Sequence, residues 1–257
     1  MSFERARLHD DMAPANLARP ESVAVMFADL DNFTCICLEN PPEFIFLLID
    51  QFQRIVREAI AEFEGTLNWF QGDGVLATFS EAAGKPDCAT RSLGCAQAIA
   101  VQIRALAPRL RRFGEPPSVS VGLEYGDVWS YATDMSERFG PTLIGDAINV
   151  ATKLEQRARG LSATIVAGDR LIQKSRRDAG ADHPSLSRFV SRQPLFISGR
   201  KAPVDVWAMD RLDAAASPAP PRSLWANNEK KPPVVRAGRP VVRGGKIGDK
   251  QVIANPV

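Results

Sequence analysis

Apolar residues in this chain are spaced first as in a strand and then as in a helix, and the alternation repeats along the sequence. Residues 22–30 form a strand-like run, and residues 44–63 place apolar side chains at intervals of three and four, as in an amphipathic helix. Two strand-like runs follow at 66–71 and 74–80, and a second helical stretch covers 86–110. The pattern predicts an α+β fold that begins with the order βαββαβ.

The next residues extend this pattern. Residues 118–132 alternate with period two around Gly126 and Asp127, which predicts a second hairpin. After it, the spacing predicts a helix over 146–158, a strand over 163–168, a short helix after Asp169, and two final strands near 188–190 and 203–209.

The C-terminal part differs in charge from the rest. Residues 214–257 hold eight basic and two acidic residues, whereas the preceding part holds twenty-four basic and twenty-eight acidic residues. The segment has no helical period, so an extended or disordered basic tail is expected, with at most weak attraction to nucleic acid. We therefore expect an N-terminal extension (1–19), one folded domain (20–213) and this tail.

Composition excludes several classes of protein. The chain is 45% hydrophobic and 24% charged, which is typical of a soluble globular domain. The longest apolar run, 44–49, is too short to cross a bilayer, and the first twelve residues contain no apolar core of a signal peptide. Four cysteines lack zinc-ligand spacing. We expect a cytoplasmic protein with no membrane partner.

Two aspartates lie at the ends of neighbouring predicted strands. Asp29 lies at the end of the first predicted strand, and Asp73 lies in the turn QGDG that joins the next two. Carboxylates on adjacent strand ends can converge on Mg²⁺, which binds through one or two carboxylates and substrate phosphates. Taken alone, such aspartates are more often solvated turn residues.

Four ordered motifs identify a family. They are FADLDNFT (27–34), FQGDGVLATF (70–79), VGLEYGDV (121–128) and LIGDAINVATKLE (143–155), and together they resemble the class III nucleotidyl cyclase catalytic domain. The resemblance implies a ferredoxin-like βαββαβ core with additional strands. It also implies a homodimer with active sites between the subunits, which converts a nucleoside triphosphate (NTP) to a 3′,5′-cyclic nucleotide and pyrophosphate.

The resemblance assigns a metal site. Asp29, Asp73 and the backbone of Leu30 match the ligands of two divalent ions, Mg²⁺ or Mn²⁺, and Phe33 lies beside the triphosphate. Two metals suit the reaction because one lowers the pKa of the 3′-hydroxyl and the other neutralises the triphosphate.

Three further residues match substrate-binding positions. Asn149 matches the asparagine that orients the ribose, and Lys153 stands where most members have an arginine for the α-phosphate. Because they are spaced i, i+4, they project from one face of a helix. Arg200 matches a lysine that binds the terminal phosphates, although an adjacent pair such as Arg200 and Lys201 is often only solvated.

Two residues bear on the choice of base. Purine-selective members have a lysine four residues before the second metal aspartate, where this chain has Trp69. Thr142 matches the second base-reading position in its bacterial adenylyl cyclase form. An indole is bulkier than a lysine stem and donates one hydrogen bond, which favours a smaller base.

Three functions remain open. Stand-alone pyrimidine cyclases of the bacterial Pycsar anti-phage systems also depart at the base-reading positions, which favours UTP, and then CTP, as substrate. An adenylyl cyclase with an unusual pocket is the second. A catalytically silent nucleotide-binding or interaction module is the third, motivated by Lys153 and Trp69. Two structural alternatives would remove Trp69 from the base pocket: the indole turns into the core, or the strand register slips by one residue and moves the side chain to the other face.

Overall fold

One mixed sheet organises the residues that the computed structural model describes, which are 20–81, 87–110, 117–131 and 141–211. Its strands are β1 (Glu21–Leu30), β2 (Thr66–Gln71), β3 (Gly74–Phe79), β4 (Val119–Tyr131), β5 (Thr142–Ile144), β6 (Ala163–Gly168), β7 (Val190–Leu195) and β8 (Val204–Asp210). The helices are α1 (Phe33–Glu39), α2 (Pro42–Glu62), α3 (Cys88–Ala105), α4 (Ala107–Leu110), α5 (Asp146–Ala158) and α6 (Asp169–Ala179).

The strand order confirms the ferredoxin-like core with additional strands. The strands lie in the order β2-β3-β1-β4-β6-β8-β7, and β5 pairs with the end of β4. β1 is central and pairs antiparallel with both β3 and β4. Asp29, near the end of β1, is therefore opposite Gly74 on one side and Ser120 on the other.

Helix α2 forms the predicted amphipathic stripe. Its buried side chains are Phe44, Leu48, Phe52, Ile55, Val56, Ala59 and Ile60. Leu47, which the spacing also placed on this stripe, is 45% exposed. At the end of α2, the residue with left-handed backbone geometry is Glu64. Glycine is required at the next position, 65, because a Cβ there would collide with the Phe79 ring.

The prediction of a second hairpin at 118–132 is wrong, because residues 119–131 form the single strand β4. Gly126 pairs with Val23 of β1 in continuous register. Its missing side chain makes room for a helix rather than a turn, since a Cβ there would lie 3.3 Å from the Cβ of Ala147.

Helix α5 lies unusually close to β4. A Cβ at Gly122 would overlap the backbone carbonyl oxygen of Ala151, so only glycine permits this approach. The helix buries Ala147, Val150, Ala151, Leu154, Glu155 and Ala158. Asn149 therefore remains on its exposed side. On the opposite face of β1, Ala24, Met26 and Ala28 are fully buried, and α3 packs against this strand.

Some predictions concern residues outside the described ranges. The extension 1–19, Pro86 and all of the tail 214–257 lie there, so the predictions for them stay predictions. The helical stretch predicted over 86–110 is divided between α3 and α4, and the short helix α1 was not predicted. Among the helices that the structure describes, none combines the length and apolarity needed to cross a membrane.

Candidate active site

Two carboxylates meet at the C-terminal end of the central strand β1. Asp73 lies in the β2–β3 turn after Gly72, which has a φ of 61°. The Leu30 amide donates a hydrogen bond of 3.3 Å to the Asp73 carbonyl, which joins this turn to the end of β1. The Asp29 and Asp73 side chains are within hydrogen-bonding reach of each other. The pair predicted from the motifs is therefore assembled within one chain.

The environment of this pair favours a bound cation. Burial and, second, the neighbouring charge of Asp73 raise the pKa of Asp29 to about 7. A divalent ion would neutralise both carboxylates, and oxygen donors are the ligands that Mg²⁺ and Mn²⁺ prefer. In the described part of the chain no cluster of three or more His, Cys, Asp or Glu side chains could hold a metal by itself. Asp29 and Asp73 are therefore suited to divalent ions that take their remaining ligands from water and substrate.

Next to this pair, Asp31 organises a polar network that sequence reasoning missed. Its carboxylate is buried and accepts hydrogen bonds of 2.6 Å from the hydroxyls of Ser118 and Ser120. Arg159 and Arg211 approach the same carboxylate at 3.6 and 3.2 Å. The aspartate is visible in the motif FADLDNFT, but its partners are distant in sequence.

Helix α5 presents two different sides. Glu155 on the buried side has a pKa raised to about 7, first by burial and then by the charge of Asp29. Asn149 is exposed, and Lys153 Nζ donates to Gln156 Oε1 at 3.2 Å. Asn149 precedes Glu155 by six residues, or roughly 9 Å along the axis. Among the contacts of the described residues, none joins Asn149 or Lys153 to Asp29 or Asp73.

The remaining predicted phosphate residues lie at two places. Phe33 is partly buried and begins α1, three residues after Leu30. Arg200 forms an ion pair with Asp146, the first residue of α5. Arg200 is thus next to the helix that carries Asn149 rather than next to the paired aspartates.

Trp69 lies on the same face of the sheet as Asp29. Its ring contacts Phe27 edge to face, with 5.8 Å between centroids, and Phe27 shares a face with Asp29 because the two are spaced i, i+2. The β2–β3 register shifts between Leu67 and Trp69. The indole is half-buried in an apolar cluster that includes Leu143, the residue after the exposed Thr142.

Another buried carboxylate, that of Glu124, lies in a cavity of about 430 Å³ beside the start of α5. Glu124 is 5% exposed, and burial raises its pKa to about 7. It accepts a hydrogen bond of 2.9 Å from the Tyr125 amide, and the charges of Arg170 and Arg200 oppose part of the shift. The sequence motif VGLEYGDV contains this glutamate but does not indicate its burial.

Replacing Glu124 with glutamine should flatten the pH dependence of folding stability. Because its pKa rises from 4.5 to about 7 on folding, Glu124 favours the folded state below pH 4.5, and that contribution is lost as the pH passes 7. At pH 8 we expect Glu124→Gln to increase the free energy of unfolding by about 2–3 kcal/mol relative to wild type. Urea unfolding at pH 5 and pH 8 measures this, with the exposed Glu39→Gln as control. An equal effect at both pH values would contradict the assignment.

Together these features define a class of protein: a ferredoxin-like α+β domain in which two carboxylates converge at the end of a central strand. A family model, "Adenylate and Guanylate cyclase catalytic domain", matches residues 16–207. The chain belongs to this family.

Individual relatives and solved structures are similar over the same region. Adenylate cyclase 1 of Rhizobium meliloti is 26% identical over 153 residues, which are 59% of this chain and 23% of that protein. The chain thus spans less than a third of that relative's length. The adenylyl cyclase CyaB from P. aeruginosa has a TM-score of 0.60 at 19% identity, covering 78% of this chain and 98% of that one. The guanylate cyclase domain of RhGC from Catenaria anguillulae, in complex with GTP, has a TM-score of 0.56 at 22% identity, with coverages of 76% and 100%.

Proposed function

We propose that this chain is a nucleotidyl cyclase that converts an NTP to a 3′,5′-cyclic nucleotide and pyrophosphate. The observation that carries the proposal is the contact between Asp29 and Asp73, because a partly buried pair of carboxylates in which the pKa of Asp29 is raised suits divalent ions rather than solvent. Bound Mg²⁺ or Mn²⁺ would supply Lewis acidity for the 3′-hydroxyl and the triphosphate. Asp29 and Asp73, with the Leu30 backbone, would hold these ions.

The other residues would bind and orient the substrate. Asn149 would hydrogen-bond the ribose, and Lys153 one helical turn later would place positive charge at the α-phosphate. Lysine keeps the charge of the arginine usual in the family but loses its bidentate fork, so altered geometry is expected rather than loss of function. Arg200 would leave Asp146 to bind the terminal phosphates, and Phe33 would pack beside the triphosphate.

A homodimer would complete each site. Within one chain Asp29 and Asp73 meet, whereas Asn149 and Lys153 lie on the exposed side of α5 without contact to them in the described residues. A head-to-tail pair of subunits would place the α5 surface of one chain opposite the paired carboxylates of the other. Each of the two sites would then need both chains.

For the base, we favour a pyrimidine, with UTP ahead of CTP. Trp69 occupies the face that carries Asp29 and is fixed against Phe27, which leaves less volume for a base than a flexible lysine would. The product would be a second messenger, and the similarity to Pycsar cyclases suggests a role in anti-phage defence.

An adenylyl cyclase is the second candidate. Thr142 has the identity usual in bacterial adenylyl cyclases and lies exposed on β5 next to the cluster that holds Trp69. The relative from Rhizobium meliloti is also named an adenylate cyclase. If Trp69 serves only to pack against Phe27, the adenine pocket would remain open.

Product identification separates these functions. Incubation of the protein with ATP, GTP, CTP or UTP and Mn²⁺ should give cUMP as the main product, with turnover of the purines lower by about 10-fold or more. Trp69→Lys should reduce this preference, whereas Trp129→Lys, at an exposed tryptophan on β4, should not. Cyclic AMP as the dominant product would support the adenylyl cyclase instead. Absence of product with every NTP would favour a silent binding module.

A further inference from the structure

We propose that Arg159 binds the triphosphate of the substrate from the same subunit that carries Asp29 and Asp73. The inference rests on the proposed function and adds a phosphate-binding residue to it. Arg159 follows α5 and lies outside the four motifs, so neither the family resemblance nor the comparisons assign it a role.

Arg159 is held in place by the segment that follows β1. Its Nη1 donates a hydrogen bond of 3.0 Å to Asn32 Oδ1, and its Nε lies 3.6 Å from Asp31 Oδ1. Asn32 has left-handed backbone geometry, with a φ of 57°, and immediately precedes α1. These two contacts orient the guanidinium beside the end of β1.

The anchor is rigid whereas the cation remains accessible. The Asp31 side chain is 3% exposed and is fixed by the hydroxyls of Ser118 and Ser120. The Arg159 side chain is 47% exposed. A buried anion that holds a half-exposed guanidinium leaves donors of that group free to turn toward a ligand in solvent, since arginine has five N–H donors.

Arg159 also acts electrostatically on Asp29 and on the buried Glu155. Its positive charge lowers the pKa of both Asp29 and Glu155, which opposes the upward shifts caused by burial. Among the contacts of the described residues, the Arg211 side chain contacts only the other oxygen of Asp31, at 3.2 Å. Arg159 contacts both Asp31 and Asn32, so it is the arginine of this network that is held against the segment directly after β1.

A cation at this position suits a polyphosphate. An NTP brings about four negative charges, and arginine binds phosphate oxygens through paired N–H donors. The other predicted phosphate-binding cations, Lys153 on α5 and Arg200, would come from the other subunit. Arg159 would supply charge from the metal-bearing subunit, and Asp31 would be its positioning residue.

Binding of pyrophosphate tests the inference without turnover. We expect Arg159→Gln to weaken pyrophosphate binding in the presence of Mn²⁺ by about 10- to 100-fold, and to raise the KM for the preferred NTP by a similar factor. Binding of the cyclic nucleotide product, which lacks the β- and γ-phosphates, should change less than about 3-fold. Arg159→Lys should fall between wild type and glutamine. Arg177→Gln, at an exposed arginine of α6, is the matched control.

Two further variants test the network. Asp31→Asn should weaken pyrophosphate binding, and in the double variant with Arg159→Gln the two losses should not add, because Asp31 acts through Arg159. Arg211→Gln should have a smaller effect than Arg159→Gln. Calorimetric or urea unfolding of each variant establishes that it is folded.

The outcomes separate this inference from the proposed function. Unchanged pyrophosphate affinity in folded Arg159→Gln, or no pyrophosphate binding by wild type, would overturn the inference even if NTP is cyclised. Arg159-dependent binding of pyrophosphate by a wild type that forms no cyclic nucleotide would support the inference and contradict the proposed function.

Discussion

Asp29→Asn should abolish cyclase activity while leaving the fold intact. Asparagine keeps the size of the side chain but removes the charge that would bind a divalent ion, so we expect turnover to fall by about 1,000-fold or more. Asp73→Asn should behave in the same way, because the two carboxylates form one site. Product formation from the preferred NTP at saturating Mn²⁺ measures the loss.

Asp29→Asn should also make the metal-free protein more stable at high pH. The pKa of Asp29 is raised from 3.8 to about 7 in the folded state, so its favourable contribution is present below pH 3.8 and is lost as the pH rises through 7. Asparagine cannot ionise, and at pH 8 we expect a gain of about 1–2 kcal/mol in the free energy of unfolding without metal. A folding defect is thereby distinguished from loss of a metal ligand.

Addition of metal should stabilise the wild type at high pH, where the metal-free wild type is less stable than Asp29→Asn. Since a divalent ion needs the ionised pair, Mn²⁺ should raise the Tm of wild type more at pH 8 than at pH 6. It should leave the Tm of Asp29→Asn nearly unchanged. Asp50→Asn, at an exposed position on α2, serves as control. Full activity of Asp29→Asn would contradict the metal assignment.

The order of the elements could be predicted from the sequence because it depends on local spacing. The predicted bounds of α5 (146–158), β2 (66–71) and β6 (163–168) agree with the structure. Each has either a clear period or turn residues at its ends. The ferredoxin-like core followed from the resemblance and is confirmed by the strand order.

The errors arose where a residue responds to contacts distant in sequence. Gly126 suggested a turn in β4, but it faces Ala147 across the sheet–helix interface. The same closeness of α5 to the sheet explains Gly122, whose role no local pattern reveals. Glycine marks both turns and close approach of backbones, and only the tertiary contact separates the two.

The candidate site was predictable where it lies in motifs. Asp29, Leu30 and Asp73 were expected together and are joined by the hydrogen bond from Leu30 to Asp73. The buried partners were missed. Glu155 lies four residues after Ala151, on the same buried stripe of α5, so helical spacing could have placed it near the sheet. The approach of Arg159 to Asp31 depends on long-range packing and has no such signal.

Mixed subunits provide the second large effect. If each site takes its carboxylates from one chain and Asn149 from the other, Asp29→Asn and Asn149→Ala should each be inactive alone. A heterodimer of the two would contain one site with both changes and one intact site. Random exchange at equal amounts makes about half of the dimers heterodimers, each with one of two sites active, so activity should recover to about a quarter of wild type.

A matched pair of variants excludes other causes of recovery. Asp29→Asn mixed with Asp73→Asn changes the carboxylate half in both chains, so every site in the heterodimer lacks one metal ligand and no activity should return. The contrast between the two mixtures depends only on which half of the site is altered, because protein concentration, exchange and metal are the same in both. Tagged subunits recovered together prove exchange. No recovery in the Asp29/Asn149 mixture despite exchange would mean that each chain carries a whole site. Recovery in the Asp29/Asp73 mixture would mean that the two aspartates of one site come from different chains, which would contradict the carboxylate pair within one chain.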